Sequence, residues 1–261
     1  MTVTQTDSTA PAPAPGQPEE KHAPGDREMT MLEHLNELRQ RLVASAIAVV
    51  AGIIAALVPI PGLGSVTEFL FQLLASRAPA GKLVTGGPGE AFFSFLQVSL
   101  MVGLALAMPV IIYQVLSFVT PALYENEKKY LYMAVPGATI SFALGAAFCF
   151  FFMLPFAIAF LGSFQPDIFL NLWSAERFVD FVVTFIFWVG VTFELPIVMY
   201  FLTKLGVVDA KRLGQFRKYA FVLAFVIGAI ITPTPDPVNQ TMVSLPIYFL
   251  YELGLILARF A

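Results

Sequence analysis

The chain has 261 residues, 57% of them hydrophobic and only 13% charged, with a mean hydropathy of +0.76. A soluble domain carries roughly 25% charged residues, so a water-soluble globular fold is excluded, and apolar runs far longer than barrel strands exclude a membrane β-barrel. The net charge of -3 separates no class, because in a helical membrane protein the placement of charge outweighs its sum. The single cysteine, Cys149, lies inside an apolar run, so no disulfide can form within the chain.

In chain order, residues 1–28 are rich in Pro and charge and lack an apolar segment, which predicts a disordered tail and no signal peptide. From residue 29 to residue 261 the pattern is that of one all-α, polytopic membrane domain. Six spans are expected. The first covers 42–60, with Arg39 and Arg41 before it and no cleavage site after it. The second and third, 91–119 and 130–161, are charge-free and long enough to tilt or protrude. The fourth covers 178–202. The fifth and sixth, 219–232 and 242–258, are short; at 1.5 Å per residue the fifth reaches only ~21 Å against a hydrocarbon core of ~30 Å.

Orientation follows from the cations. An inside N-terminus leaves only Arg77, Lys82 and Arg177 outside, of 15 Lys and Arg in all. That bias predicts both termini on the cytoplasmic side. Pro109, Pro136, Pro155, Pro196 and Pro246 fall within or near span ends, where each removes a backbone donor and favours a kink or break. Kinked helices of unequal length suit a concave body. No inverted repeat relates the two halves, which counts against many secondary-transporter folds.

No catalytic constellation is present. There is no Walker-type loop, no zinc-ligand spacing and no Gly-x-Ser-x-Gly, and both histidines, His22 and His34, lie in the N-terminal region. Neither an enzyme nor a cofactor is expected, so function must come from binding and conformation.

Three polar features stand out. In "TMLEHLNELRQRL", Thr30 and Glu33 form a capping box. Met31, Leu35, Leu38 and Leu42 then line one helix face, and Glu33, Glu37 and Arg41 the other. By its residues alone this is either a solvated surface helix or a binding element. In "FVTPALYENEKKY", Thr120-Pro121 ends the second span and Glu125 and Glu127 bring acid to a cationic face; a solubilising loop would look the same. The third is Glu194, a lone carboxylate in "FIFWVGVTFELPIVMYF". It costs several kcal/mol if it faces lipid, and no Lys or Arg lies at comparable depth. Burial there favours the neutral carboxyl, which donates as well as accepts. Gln114, towards the cytoplasmic end of the second span, is a further polar candidate.

Taken together, "HLNELRQRL", "FVTPALYENEKK", "GVTFELP", "ITPTPDPVNQ" and "LPIYFLYELG" resemble the TatC family, the multispan core of the twin-arginine protein translocase, in order from about Met29 onward. The resemblance implies a glove-shaped six-helix receptor for signal peptides with paired arginines. It implies that Glu37 and Glu127 form the recognition site, that Phe118 and Pro121 shape the same surface and that Arg39 supports it. Two carboxylates suit this task, since a guanidinium is a planar donor fork that a carboxylate accepts bidentately. Glu194 matches the family's intramembrane Glu, a docking point for a partner's transmembrane helix. Asp236 and Gln240 match the outer-loop motif, and Tyr251 and Glu252 the sixth-helix "YE" element; for both a structural role is preferred. The extra Thr-Pro and Asn239 depart from the commoner form of that loop.

The implied protein is a multi-pass subunit of the cytoplasmic membrane, driven by the proton-motive force. Its implied partners are single-span subunits of the same system, copies of itself, and folded cargo. A proton-coupled small-solute transporter with Glu194 as proton carrier is the alternative.

Overall fold

A computed structural model describes residues 31–62, 64–78, 83–119, 128–163, 165, 167, 173–232 and 236–261. The expected tail 1–28, Thr30 of the capping box, Pro121 and Glu127 lie outside the described residues. Ten α-helices follow one another: α1 (Met31–Leu57), α2 (Val66–Ala75), α3 (Glu90–Val119), α4 (Lys128–Phe148), α5 (Leu154–Gly162), α6 (Ala175–Thr192), α7 (Leu195–Lys204), α8 (Ala210–Gln215), α9 (Arg217–Ile231) and α10 (Pro237–Ala258).

Among the described residues, five segments are long and apolar enough to cross a membrane: α1, α3, α4 with α5, α6 with α7, and α10. The expected fifth span, α9, has 15 residues, or ~22 Å of rise, so it is short in the structure as in the sequence. Three boundaries differ from the sequence reading. The amphipathic stretch and the first span are one continuous 27-residue helix. The last span begins five residues earlier than its apolar run, because Asp236 caps it and Pro237 occupies its first turn, where a missing N–H costs nothing. Helix α2 adds an element to those expected; Ser65 starts it by accepting the Glu68 N–H at 3.0 Å.

The five prolines do different things. Pro109, Pro136 and Pro246 sit inside continuous helices. Pro155 follows a π-helical turn, Cys149–Met153. That wider turn accommodates a residue that cannot donate to the carbonyl four positions back. Pro196 alone separates two helices. Its ring disfavours a helical carbonyl at Thr192, and α6 stops there.

Helix α1 lies along α3, α6 packs on α3 and α4, and α10 packs on α7 and α9. The α1–α3 approach requires glycine on both sides: a Cβ at Gly52 would run into the Gly103 carbonyl oxygen. Phe178, Val182 and Phe185 of α6 and Leu154 of α5 are fully buried in one apolar core. Large apolar side chains also cover the outside, for example Phe152 and Ile230, which suits a lipid surround.

At the end where α3 and α6 begin, the Glu90 carboxylate ties two connections together. Its Oε1 accepts the Glu176 N–H at 2.9 Å, in the first turn of α6, and its Oε2 accepts the Gly86 N–H. Beside it, Ala175 N–H donates to the Val84 carbonyl at 2.8 Å.

Candidate functional site

Helix α1 carries its polarity the opposite way from a soluble amphipathic helix. Leu32, Leu35 and Leu42 are exposed on the outside, whereas Glu37 and Arg41 are largely shielded, with side chains 20% and 25% accessible. The polar face is turned towards α3. Glu37 Oε1 accepts from Arg41 Nε at 2.8 Å and from Arg41 Nη2 as well. Arg41 Nη1 in turn donates to Gln114 Oε1 of α3 at 3.2 Å. One helical turn from Gln114, Phe118 stacks on His34 with centroids 4.4 Å apart and rings within 16° of parallel. The site is therefore layered, with a ring pair at its mouth and the Arg41–Gln114 bond deeper. Glu37 lies between these two layers.

Glu37 Oε2 is buried and has no hydrogen-bond partner among the described residues. A buried acceptor left unmade costs about 1–3 kcal/mol. A donor arriving from outside recovers that cost, so the arrangement is suited to receive a cation.

Of the residues implied at this surface, the structure places Glu37 and Phe118 on the facing sides of α1 and α3, and it adds Gln114, which the sequence offered as a separate polar candidate of the second span. Arg39 is exposed, and two residues along a helix turn it ~200° from Glu37. It does not share the face that meets α3. Arg41 and His34 complete the site instead. The i, i+4 spacing of Glu37 and Arg41 was legible, but nothing local marks His34 as the partner of a ring 84 positions away.

Glu194 occupies the break between α6 and α7 and is 9% exposed. The preceding residue fixes this turn against α4. Ser141 Oγ donates to the Phe193 carbonyl at 2.7 Å, and the Phe193 ring lies on Gly145, where a Cβ would come within 2.7 Å of it. Glu194 Oε1 is buried without a partner, and no ion pair reaches the residue.

Asp236 and Gln240 are separate from both carboxylates. Asp236 Oδ1 accepts the Asn239 N–H at 2.7 Å and Oδ2 accepts from Asn239 Nδ2 at 3.0 Å. Asn239, the departure noted in the sequence, thus reinforces the cap. Gln240 Nε2 donates to the Phe225 carbonyl at 3.0 Å and joins α10 to α9. At the other end of α10, Glu252 pairs with Arg217 at 2.8 Å and accepts from the Tyr248 hydroxyl, while the Tyr251 hydroxyl donates to the Leu213 carbonyl. The sequence marked Tyr251 and Glu252, but not the Arg217 that holds Glu252.

Residues 33–246 match the sequence model of the family described as Sec-independent protein translocase protein (TatC). The chain is 38% identical to the Sec-independent protein translocase protein TatC of Aquifex aeolicus, across 89% of this chain and 96% of that protein. It is 33% identical to the chloroplastic protein TATC of Arabidopsis thaliana, across 91% of this chain and 68% of that one. Among solved structures, a crystal structure of the twin arginine translocase receptor TatC superimposes with a TM-score of 0.74 at 38% identity, covering 87% of this chain and 99% of the other. A further crystal structure of that receptor in DDM gives 0.75. None of these similarities supports a small-solute transporter. With its layered helix arrangement, its motifs and these relatives in agreement, the chain belongs to the TatC family of Sec-independent protein translocase proteins.

Proposed function

We propose that this chain is the receptor subunit of a twin-arginine translocase, binding paired-arginine signal peptides of folded precursors at the N-terminal end of α1. The observation that carries this reading is the shielded Glu37 carboxylate, whose Oε2 has no donor among the described residues, one helical turn along α1 from His34, which stacks on Phe118. A guanidinium is weakly hydrated for a cation, donates strong charge-assisted hydrogen bonds and stacks on aromatic faces. Glu127 and Pro121, between the second and third spans in the sequence, are the further recognition residues that the resemblance implies, and Arg39 supports recognition from another face of α1. Both termini face the cytoplasm, residues 1–28 form a tail outside the membrane domain, and residues 29–261 form that domain in the cytoplasmic membrane.

The subunit performs no bond chemistry itself. It hands cargo on to single-span partner subunits and further copies of itself, and the proton-motive force drives transport. Glu194 is the polar docking point for a partner helix, with Gln114 contributing at the cytoplasmic end. Asp236 and Gln240 hold the outer turn in shape. Site-specific crosslinking tests the assignment: a photoreactive group at position 33, one helical turn from Glu37 on α1, should capture a twin-arginine precursor and lose it when both arginines become lysine. Capture of the two precursors alike would remove the site from recognition.

A further inference from the structure

Glu37 enters the proposed site with half of its carboxylate already in use. Each carboxylate oxygen offers about two lone-pair sites. Those of Oε1 are taken by Nε and Nη2 of Arg41. Oε2 retains both of its own and is shielded from water. Bidentate capture of a second guanidinium needs one N–H on each oxygen, and Oε1 has no capacity left for it. Arg41 is not free to swing away, because its remaining arm is bonded to Gln114 on the neighbouring helix.

We propose that Arg41, held by Gln114, is a positioning residue that reduces Glu37 to a one-oxygen acceptor, so that the two arginines of a signal peptide are read differently. The proposal rests on the receptor reading above. The arginine that meets Glu37 gives a single N–H to Oε2, a contact that a lysine ammonium makes equally well. Fork geometry is then left to the other arginine, for which the resemblance implies the Glu127 carboxylate. The Glu37–Arg41 pair is also neutral overall, so long-range attraction for the dication comes from elsewhere on this face.

The test uses the full chain in nanodiscs at fixed salt, with Arg-Arg, Lys-Arg, Arg-Lys and Lys-Lys peptides and a scrambled control. In the wild type, one singly substituted peptide should lose less than about threefold in affinity. The other should lose more than about tenfold, the scale of one charge-assisted hydrogen bond. Arg41→Gln frees Oε1, so the formerly tolerated lysine should become nearly as costly as the other. Gln114→Ala keeps every charge and removes only the anchor of Arg41; it should narrow the same gap part of the way, and it keeps the test open if Arg41→Gln misfolds. A purely structural role for Arg41 would lower all affinities together and leave the gap unchanged. Equal losses for Lys-Arg and Arg-Lys in the wild type, or a gap that survives both substitutions, overturn the proposal. Arg-Arg binding no tighter than the scrambled control overturns the receptor reading itself, and with it this inference.

Discussion

Two carboxylates in this molecule each bury an oxygen that has no hydrogen-bond partner, and they do so in opposite settings. Glu37 sits at the end of the α1–α3 pair with its other oxygen bonded to Arg41, so an acceptor is left open beside a cation. Glu194 sits in the break between α6 and α7, with no cation paired to it among the described residues. The first suits the proposed role of meeting a cation from water. The second suits the proposed role of exchanging hydrogen bonds where water is scarce. A third buried carboxylate, Glu90, shows what a structural one looks like: both of its oxygens accept backbone N–H groups. Burial alone therefore does not identify a functional glutamate here. The unfilled oxygen is what sets the two proposed functional glutamates apart from Glu90.

The largest expected effect separates the first two by charge. Glu37→Ala should weaken a twin-arginine peptide by about 1.5–3 kcal/mol, the range for hydrogen bonds to charged groups. Glu37→Gln should be nearly as damaging, since the loss is of charge. Glu194→Ala should leave that affinity within about twofold while impairing precursor transport in membrane vesicles. Comparable affinity losses at the two sites would erase the distinction.

A second prediction displaces Glu194 without touching it. Adding a methyl at Gly145 forces Phe193 to move, and with it the turn that presents Glu194. Gly145→Ala should cost about 1–3 kcal/mol of stability, read as a lower Tm in detergent. It should also reduce transport while peptide affinity stays unchanged. Transport at the wild-type level despite the lower Tm would mean that the position of this turn is immaterial.

Glu90 provides the control. Glu90→Gln keeps one acceptor and sets an NH2 against a backbone N–H, which should cost about 1–2 kcal/mol. Thermal unfolding should show that loss, and peptide binding should not. A fall in affinity as large as that of Glu37→Ala would make Glu90 part of recognition. The smallest effect is expected of Glu194→Gln, which keeps the hydrogen bonding of a neutral carboxyl and should transport close to wild type, measured beside Glu194→Ala. If Gln proves as damaging as Ala, an ionised or proton-carrying Glu194 becomes the better account.

The membrane class, the apolar spans and Glu194 were legible in the sequence, because each is a local excess: apolar length, or a charge where charge is expensive; Glu37 was marked only through the resemblance to the family. The span ends were less legible. Residues 237–241 are polar or turn-forming and read as loop, yet Asp236 and Pro237 make them the first turn of α10. Similarly, α1 reads as a surface helix followed by a span, although the backbone has no reason to stop between them.

By itself, the sequence determined that Glu37 and Arg41 lie one turn apart on a helix and that Pro196 interrupts the helix holding Glu194, since both follow from backbone geometry within a few residues. Only the tertiary structure decided that Arg41 is clamped from Gln114, 73 positions away, and that His34 lies flat on Phe118. The physical reason is the close crossing of α1 and α3 at Gly52 and Gly103. Two missing side chains there let the backbones approach, and that approach turns a polar helix face, which sequence alone would leave in solvent, into a shielded one.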